Sequence, residues 1–97
     1  MPPADALRKQ YLAPETRDAL IELRTRLETA AWTREGINAA IKSVLAQYKL
    51  KLPKLAMPLR VMVTGEPQTP SIDAVLELIG RDEVLRRMDA ELTRYPG

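Results

Sequence analysis

Between Ile37 and Tyr48 the apolar residues Ile37, Ala40, Ile41, Val44, Leu45 and Tyr48 recur at steps of three and four. That is the spacing of one face of an α-helix and not the alternation of a half-buried strand. The middle of the chain must therefore be a helix that buries one side against partners, and the rest of the sequence has to supply them. Thr33 is placed to cap this helix, with Trp32 before it and Ile37 four residues after it positioned as a hydrophobic staple.

The partners are readable by the same period. Pro14-Glu15 suits a first helical turn, where proline lacks only a donor that would be unpaired anyway and an acid meets the helix dipole. Leu20, Leu23, Leu27 and Ala30 follow at helical spacing. From Lys49 to Pro58 two prolines and three lysines interrupt the pattern, which reads as a loop or a helix start rather than a helix interior. Leu59-Arg60-Val61-Met62-Val63-Thr64 suits either a helix or a strand by period; with no partner strand elsewhere, it is assigned to a helix closed by Gly65 as a left-handed cap. Thr69-Pro70 reads as a cap and first helical position, with Asp73 near the positive end of the dipole and Ile72, Val75, Leu76 and Ile79 as the inner face up to Gly80. A last helix from about Asp82 buries Leu85, Met88, Leu92 and Tyr95. The fold class this predicts is an all-α, compact bundle of about five short helices. Residues 1–13 carry little periodicity and read as a flexible lead-in, or as the boundary with a preceding helical domain, with Leu7, Tyr11 and Leu12 available to dock; residues 14–97 form the domain proper.

The chemistry open to such a bundle is narrow. The 97 residues include neither Cys nor His, which removes disulfides, thiolates, imidazole acid/base catalysis and the usual zinc ligands. The 13 carboxylates fall on charged faces or near helix starts and are read as solvated rather than as an acid/base pair. No Gly-rich phosphate loop is present. Neither a catalytic residue nor a metal site is expected. No apolar run approaches the roughly 20 residues of a membrane span, and the first residues lack the charged and apolar regions of a signal peptide, so a cytoplasmic protein without a membrane partner is expected.

Charge is distributed unevenly. Residues 1–35 hold six bases and six acids, and residues 66–97 hold four bases and seven acids. Residues 36–65 hold five bases, Lys42, Lys49, Lys51, Lys54 and Arg60, and no acid at all. Such a block either forms a solvated face or gives a local positive field suited to a polyanion. For single-stranded nucleic acid the roles divide by side-chain chemistry. Lys49, Lys51 and Lys54 are phosphate-backbone candidates as mobile point charges, whereas Arg60 offers a planar fork that hydrogen-bonds or stacks on a base. The helix starting at Thr69 presents free backbone N–H groups, and an exposed Ile72 just inside it would support an unstacked base.

At these residues the chain resembles the C-terminal anticodon-binding domain of bacterial glutamyl-tRNA synthetases, which are class I aminoacyl-tRNA synthetases. The stretch from Leu50 to Gly65, with its Pro58-Leu59-Arg60 and Thr64-Gly65, is similar to the family's segment of lysines and apolar residues ending in Pro-Leu-Arg and Thr-Gly. Thr69-Pro70-Ser71-Ile72, Val75 to Gly80 and Val84-Leu85-Arg86-Arg87 resemble the family's proline-started helix, its Leu-Gly stop and its arginine-containing last helix. The resemblance covers roughly residues 15–94. It implies that this part helps read the second and third anticodon bases while a preceding helical domain reads the first. Arg60 would contact a base or the backbone, and Thr69, Pro70 and Ile72 would line the pocket of the last base. Ser71 stands where the family often has a smaller residue, and Ile72 replaces a common leucine. The intact enzyme would join glutamate to its tRNA using ATP and Mg2+, whose binding signatures are absent here, so the fragment would bind the tRNA anticodon loop, as a monomer, without aminoacylating.

Two other readings compete. A helical protein-interaction module would turn the basic stretch towards an acidic partner. A helix-turn-helix DNA binder needs a basic recognition helix, yet the helix after Thr69 carries Asp73 and Glu77 and no base.

Overall fold

Period and punctuation translate directly into backbone. The computed structural model describes residues 14–65 and 71–94, in which the chain forms α1 (Pro14–Thr29), α2 (Arg34–Tyr48), α3 (Leu52–Thr64), α4 (Ile72–Ile79) and α5 (Arg81–Arg94). No strand occurs among the described residues, and Leu59–Thr64 is helical. The expected lead-in at residues 1–13, with Leu7, Tyr11 and Leu12, lies outside the described residues, as do Thr69, Pro70 and Tyr95.

The helix ends have identifiable causes. Thr33 Oγ1 accepts from the Gly36 amide at 3.0 Å, capping α2 as its sequence predicts. Gly36 is needed at that turn for a second reason, because a Cβ there would come within 2.1 Å of the Ala31 carbonyl oxygen. Gly65 closes α3 in the left-handed region at φ 80°, its amide donating to Val61 O. α4 departs from expectation by beginning at Ile72 with Ser71 as N-cap, and Ser71 makes no side-chain capping bond.

α3 corrects the reading of residues 49–58. Only Lys49 to Lys51 lie outside helices; the helix starts at Leu52, takes Pro53 in its first turn, and runs on through Pro58. An interior proline costs about 3 kcal/mol, because it withdraws the donor that the carbonyl four residues earlier would receive. Burial offsets it: Leu55, Ala56, Pro58 and Leu59 are all buried, and a fully buried leucine is worth about 1.5–3 kcal/mol. The proline is tolerated where the helix is held on its apolar side.

The core is aliphatic. Leu20, Leu23 and Leu27 of α1, Ile37, Ile41 and Val44 of α2, Leu55 and Leu59 of α3, Leu76 of α4 and Val84 and Met88 of α5 form one buried cluster. α1 packs on α2, α3 and α5, α2 also on α4, and α5 also on α3 and α4. Trp32 borders this cluster, and the Arg81 guanidinium stacks over its ring at 5.2 Å while donating to the Ala30 carbonyl. The α1–α2 connection is thereby tied to the first turn of α5.

Two carboxylates contradict the expectation that every acid is solvated: Asp73 is 8% exposed and Glu91 4%. Asp73 tolerates burial because three donors reach it. Its Oδ1 accepts from the Ala74 amide at 2.8 Å, and its Oδ2 from Asn38 Nδ2 at 2.7 Å and Arg34 Nε at 3.4 Å. Burial alone would raise its pKa, but the Ala74 amide, Arg34 and Asn38 outweigh that and hold it below the usual aspartate value.

Candidate nucleic-acid interface

The acid-free block becomes the α2–α3 junction and the body of α3. Lys49 ends α2 in the left-handed conformation (φ 54°, ψ 46°), its amide donating to Leu45 O, and the Leu50 amide donates to the same oxygen at 2.9 Å. Lys51 is the N-cap of α3, with no side-chain capping bond, and Lys54 lies one turn on. All three lysines are exposed. No acid occupies the first turn of α3, so the partial positive charge of that helix end adds to the lysines instead of being cancelled.

Arg60 lies six residues beyond Lys54, roughly 9 Å further along the helix. It is half-buried. Its Nη1 lies 3.7 Å from Met57 Sδ, and its Nε is buried without a hydrogen-bond partner. No carboxylate among the described residues pairs with it. A guanidinium held along apolar surface without a carboxylate partner has its terminal N–H groups, and not the buried Nε, to offer a planar acceptor. The ordinary alternative for such an arginine, an intramolecular salt bridge, is absent among the described residues.

Ile72 takes the inner-face place that the helical period gives it and not the exposed place that supporting a base requires. It is 5% exposed and belongs to the core cluster, so its side chain supports no unstacked base in this arrangement. The helix that starts there is too short to reach the core without its first residue: its buried face is Ile72, Asp73 and Leu76. Thr69 and Pro70 immediately precede it outside the described residues. What sequence reasoning missed is Asp73, for its burial depends on Asn38 and Arg34, more than thirty positions away.

Elsewhere a cleft of about 240 Å3 opens between the end of α3 and α5, lined by Met62, Val63, Arg86, Arg87 and Arg94 among others. Its cations are engaged. Arg87 donates to Glu83 at 2.7 Å and to Val63 O at 2.5 Å, and Arg86 donates to Glu83 at 2.9 Å. Contacts from Arg86 and Arg87 pull the Glu83 carboxyl down to about 2. The cleft is a cap on the carbonyl end of α3 more than a free anion site.

Among the described residues no group of three or more His, Cys, Asp or Glu could hold a metal ion. No helix among them is long and apolar enough to cross a membrane.

The structure is a helical bundle with a lysine-rich junction and an arginine that has no carboxylate partner among the described residues, and comparison with known proteins gives its family. The chain belongs to the family described as the anticodon binding domain, whose model matches residues 2–92. It is similar to a glutamate–tRNA ligase of Nitrosospira multiformis, at 54% identity over 96% of this chain, and to one of Thiobacillus denitrificans, at 58% over 93%. It spans 20% and 19% of those proteins, about a fifth of their length. A crystal structure of a glutamate tRNA ligase from Elizabethkingia meningosepticum in complex with its amino acid shares the fold, with a TM-score of 0.89 at 24% identity over 97% of this chain and 19% of that one.

Proposed function

We propose that this chain reads the anticodon loop of glutamate tRNA, chiefly its second and third bases, on behalf of a glutamate–tRNA ligase. The observation that carries the reading is Arg60, a half-buried guanidinium without a carboxylate partner among the described residues, inside a block free of acids. Anticodon bases are unstacked, so their edges are open to such a group in a way that duplex RNA forbids. Lys49, Lys51 and Lys54 supply phosphate contacts, and Thr69 and Pro70 border the last base. Ile72 contributes by fixing the start of α4 in the core, with its backbone and not its side chain facing the RNA.

The parent chain joins glutamate to its tRNA with ATP and Mg2+, bound outside this portion, and works as a monomer in the cytoplasm. This portion binds without catalysing. With about three phosphates neutralised, the log–log salt slope for single-stranded RNA is near −2, so binding by this chain alone is weak at physiological salt. Most affinity then comes from linkage to contacts at the acceptor end.

The test is an NMR titration with the glutamate tRNA anticodon stem-loop at low salt, following the amides of Arg60, Thr69 and Ile72. Shifts concentrated at these three support the reading. An intact spectrum in which none of them moves overturns it.

A further inference from the structure

α4 begins without the usual support. Ser71 makes no side-chain capping bond, and the helix is only eight residues long, too short to hold its shape by its own hydrogen bonds. Its first backbone bond runs from the Val75 amide to Ser71 O, which leaves the amides of Ile72, Asp73 and Ala74 without helical partners. Asp73 supplies what is missing: Oδ1 accepts from the Ala74 amide at 2.8 Å, taking over part of the cap, and Oδ2 accepts from Asn38 Nδ2 at 2.7 Å and Arg34 Nε at 3.4 Å on α2. One carboxylate therefore both closes the first turn of α4 and fastens that turn to α2.

Stability alone does not account for this choice. Asp73 stands on the buried face beside Ile72 and Leu76, where an apolar residue would join the same packing. A buried, hydrogen-bonded charge gains little over a well-packed apolar side chain, since desolvation consumes most of the attraction. What it adds is directional. Apolar contacts between α2 and α4 permit small slides and rotations, whereas two hydrogen bonds from α2 to Oδ2 of a carboxylate whose Oδ1 is held by the Ala74 amide favour one register.

We infer that Asp73 is a positioning residue for anticodon reading: through Asn38 and Arg34 it sets the first turn of α4 on α2, and base discrimination depends on that setting. The inference rests on the reading under Proposed function. Asp73 need not touch the RNA. It acts through the position of the turn, so its loss blurs discrimination between bases more than it weakens attraction to phosphates.

The experiment measures binding of this chain to the cognate anticodon stem-loop and to a stem-loop with the third anticodon base replaced, across a salt series. Asp73→Ala is expected to lower the ratio of the two affinities by about tenfold, in the range of one lost base contact, with an unchanged salt slope. Asp73→Asn, which keeps an acceptor for Ala74 or Asn38, is expected to recover most of the ratio. Asn38→Ala, which leaves the carboxylate and its Ala74 contact in place, provides a milder variant should Asp73→Ala fail to fold, and is expected to shift the ratio in the same direction. An unchanged ratio in folded Asp73→Ala, or in Asn38→Ala where the former does not fold, overturns the inference while leaving the functional reading intact. Absence of binding by the unsubstituted chain at low salt overturns both.

Discussion

The cations of α1 and α5 and those of the α2–α3 region are used in opposite ways. Arg24 is shared between Asp89 and Glu28, both at 2.8 Å, Arg26 pairs with Glu22 at 3.0 Å, and Arg86 and Arg87 converge on Glu83. These arginines are neutralised locally and join helix to helix or turn to turn. Lys49, Lys51, Lys54 and Arg60 have no such partners among the described residues, and no acid lies anywhere in their thirty-residue stretch. A chain that pairs arginines of α1 and α5 and leaves the cations of the α2–α3 region unpaired among the described residues has two electrostatic surfaces, one closed upon itself and one open to an anion. Net charge, only +2, hides the division.

The sharpest way to break the comparison is to remove one unpaired charge. Arg60→Ala should weaken binding to the anticodon stem-loop by about 1–3 kcal/mol, the worth of a good base contact, and change thermal stability far less. Isothermal titration beside a melting curve separates the two. A large loss of stability with unchanged RNA affinity would place Arg60 among the structural arginines and erase the distinction. The lysines come next. Replacing Lys49, Lys51 and Lys54 together with alanine should remove the salt dependence, which for three phosphates amounts to about a fifteenfold fall in affinity between 50 and 200 mM salt, while leaving base preference in place.

The paired side yields smaller effects on stability and none on base choice. Arg24→Ala should cost about 0.2–1 kcal/mol, the usual range for an exposed ion pair, read by urea unfolding at low and high salt. Glu83 offers a pH signature. Its carboxyl lies at about 2, below the ordinary 4.5, so its contribution is complete above pH 4.5 and is lost as pH falls towards 2. Asp73, held low as well, adds a loss in the acid range below 3.8. Glu83→Gln should therefore show a shallower decline in stability over pH 4.5 to 2 than the unsubstituted chain. Equal slopes would mean that the Arg86 and Arg87 contacts are not maintained in solution.

Much of this division was legible in the sequence, and where it was not the cause is long-range. The helices of the core followed from intervals of three and four, because burial of one face is a local, periodic requirement. The basic stretch followed from counting acids. Pro58 misled because a proline's cost is local whereas its compensation, the burial of Leu55, Ala56 and Leu59, is tertiary. Asp73 misled for a related reason. The period places Ile72 and Leu76 on the inner face of α4 but says nothing of a carboxylate beside them, whose burial α2 decides through Asn38 and Arg34.

Lys49 sharpens the comparison with the smallest expected effect. It is the one non-glycine residue among those described with a positive φ, at 54°, a conformation that costs an L residue about 1–2 kcal/mol and that glycine adopts freely. Residues of this kind usually give way to glycine at a helix C-terminus, as Gly65 shows at the end of α3. A strained lysine is understandable if its charge serves a partner rather than the fold. Lys49→Gly should accordingly raise stability by up to about 1 kcal/mol, offset in part by the extra freedom of glycine in the unfolded chain, and reduce the magnitude of the RNA salt slope by about 0.7. A stability gain without a change in slope would assign Lys49 to the solvated surface and leave Lys51, Lys54 and Arg60 as the open charges.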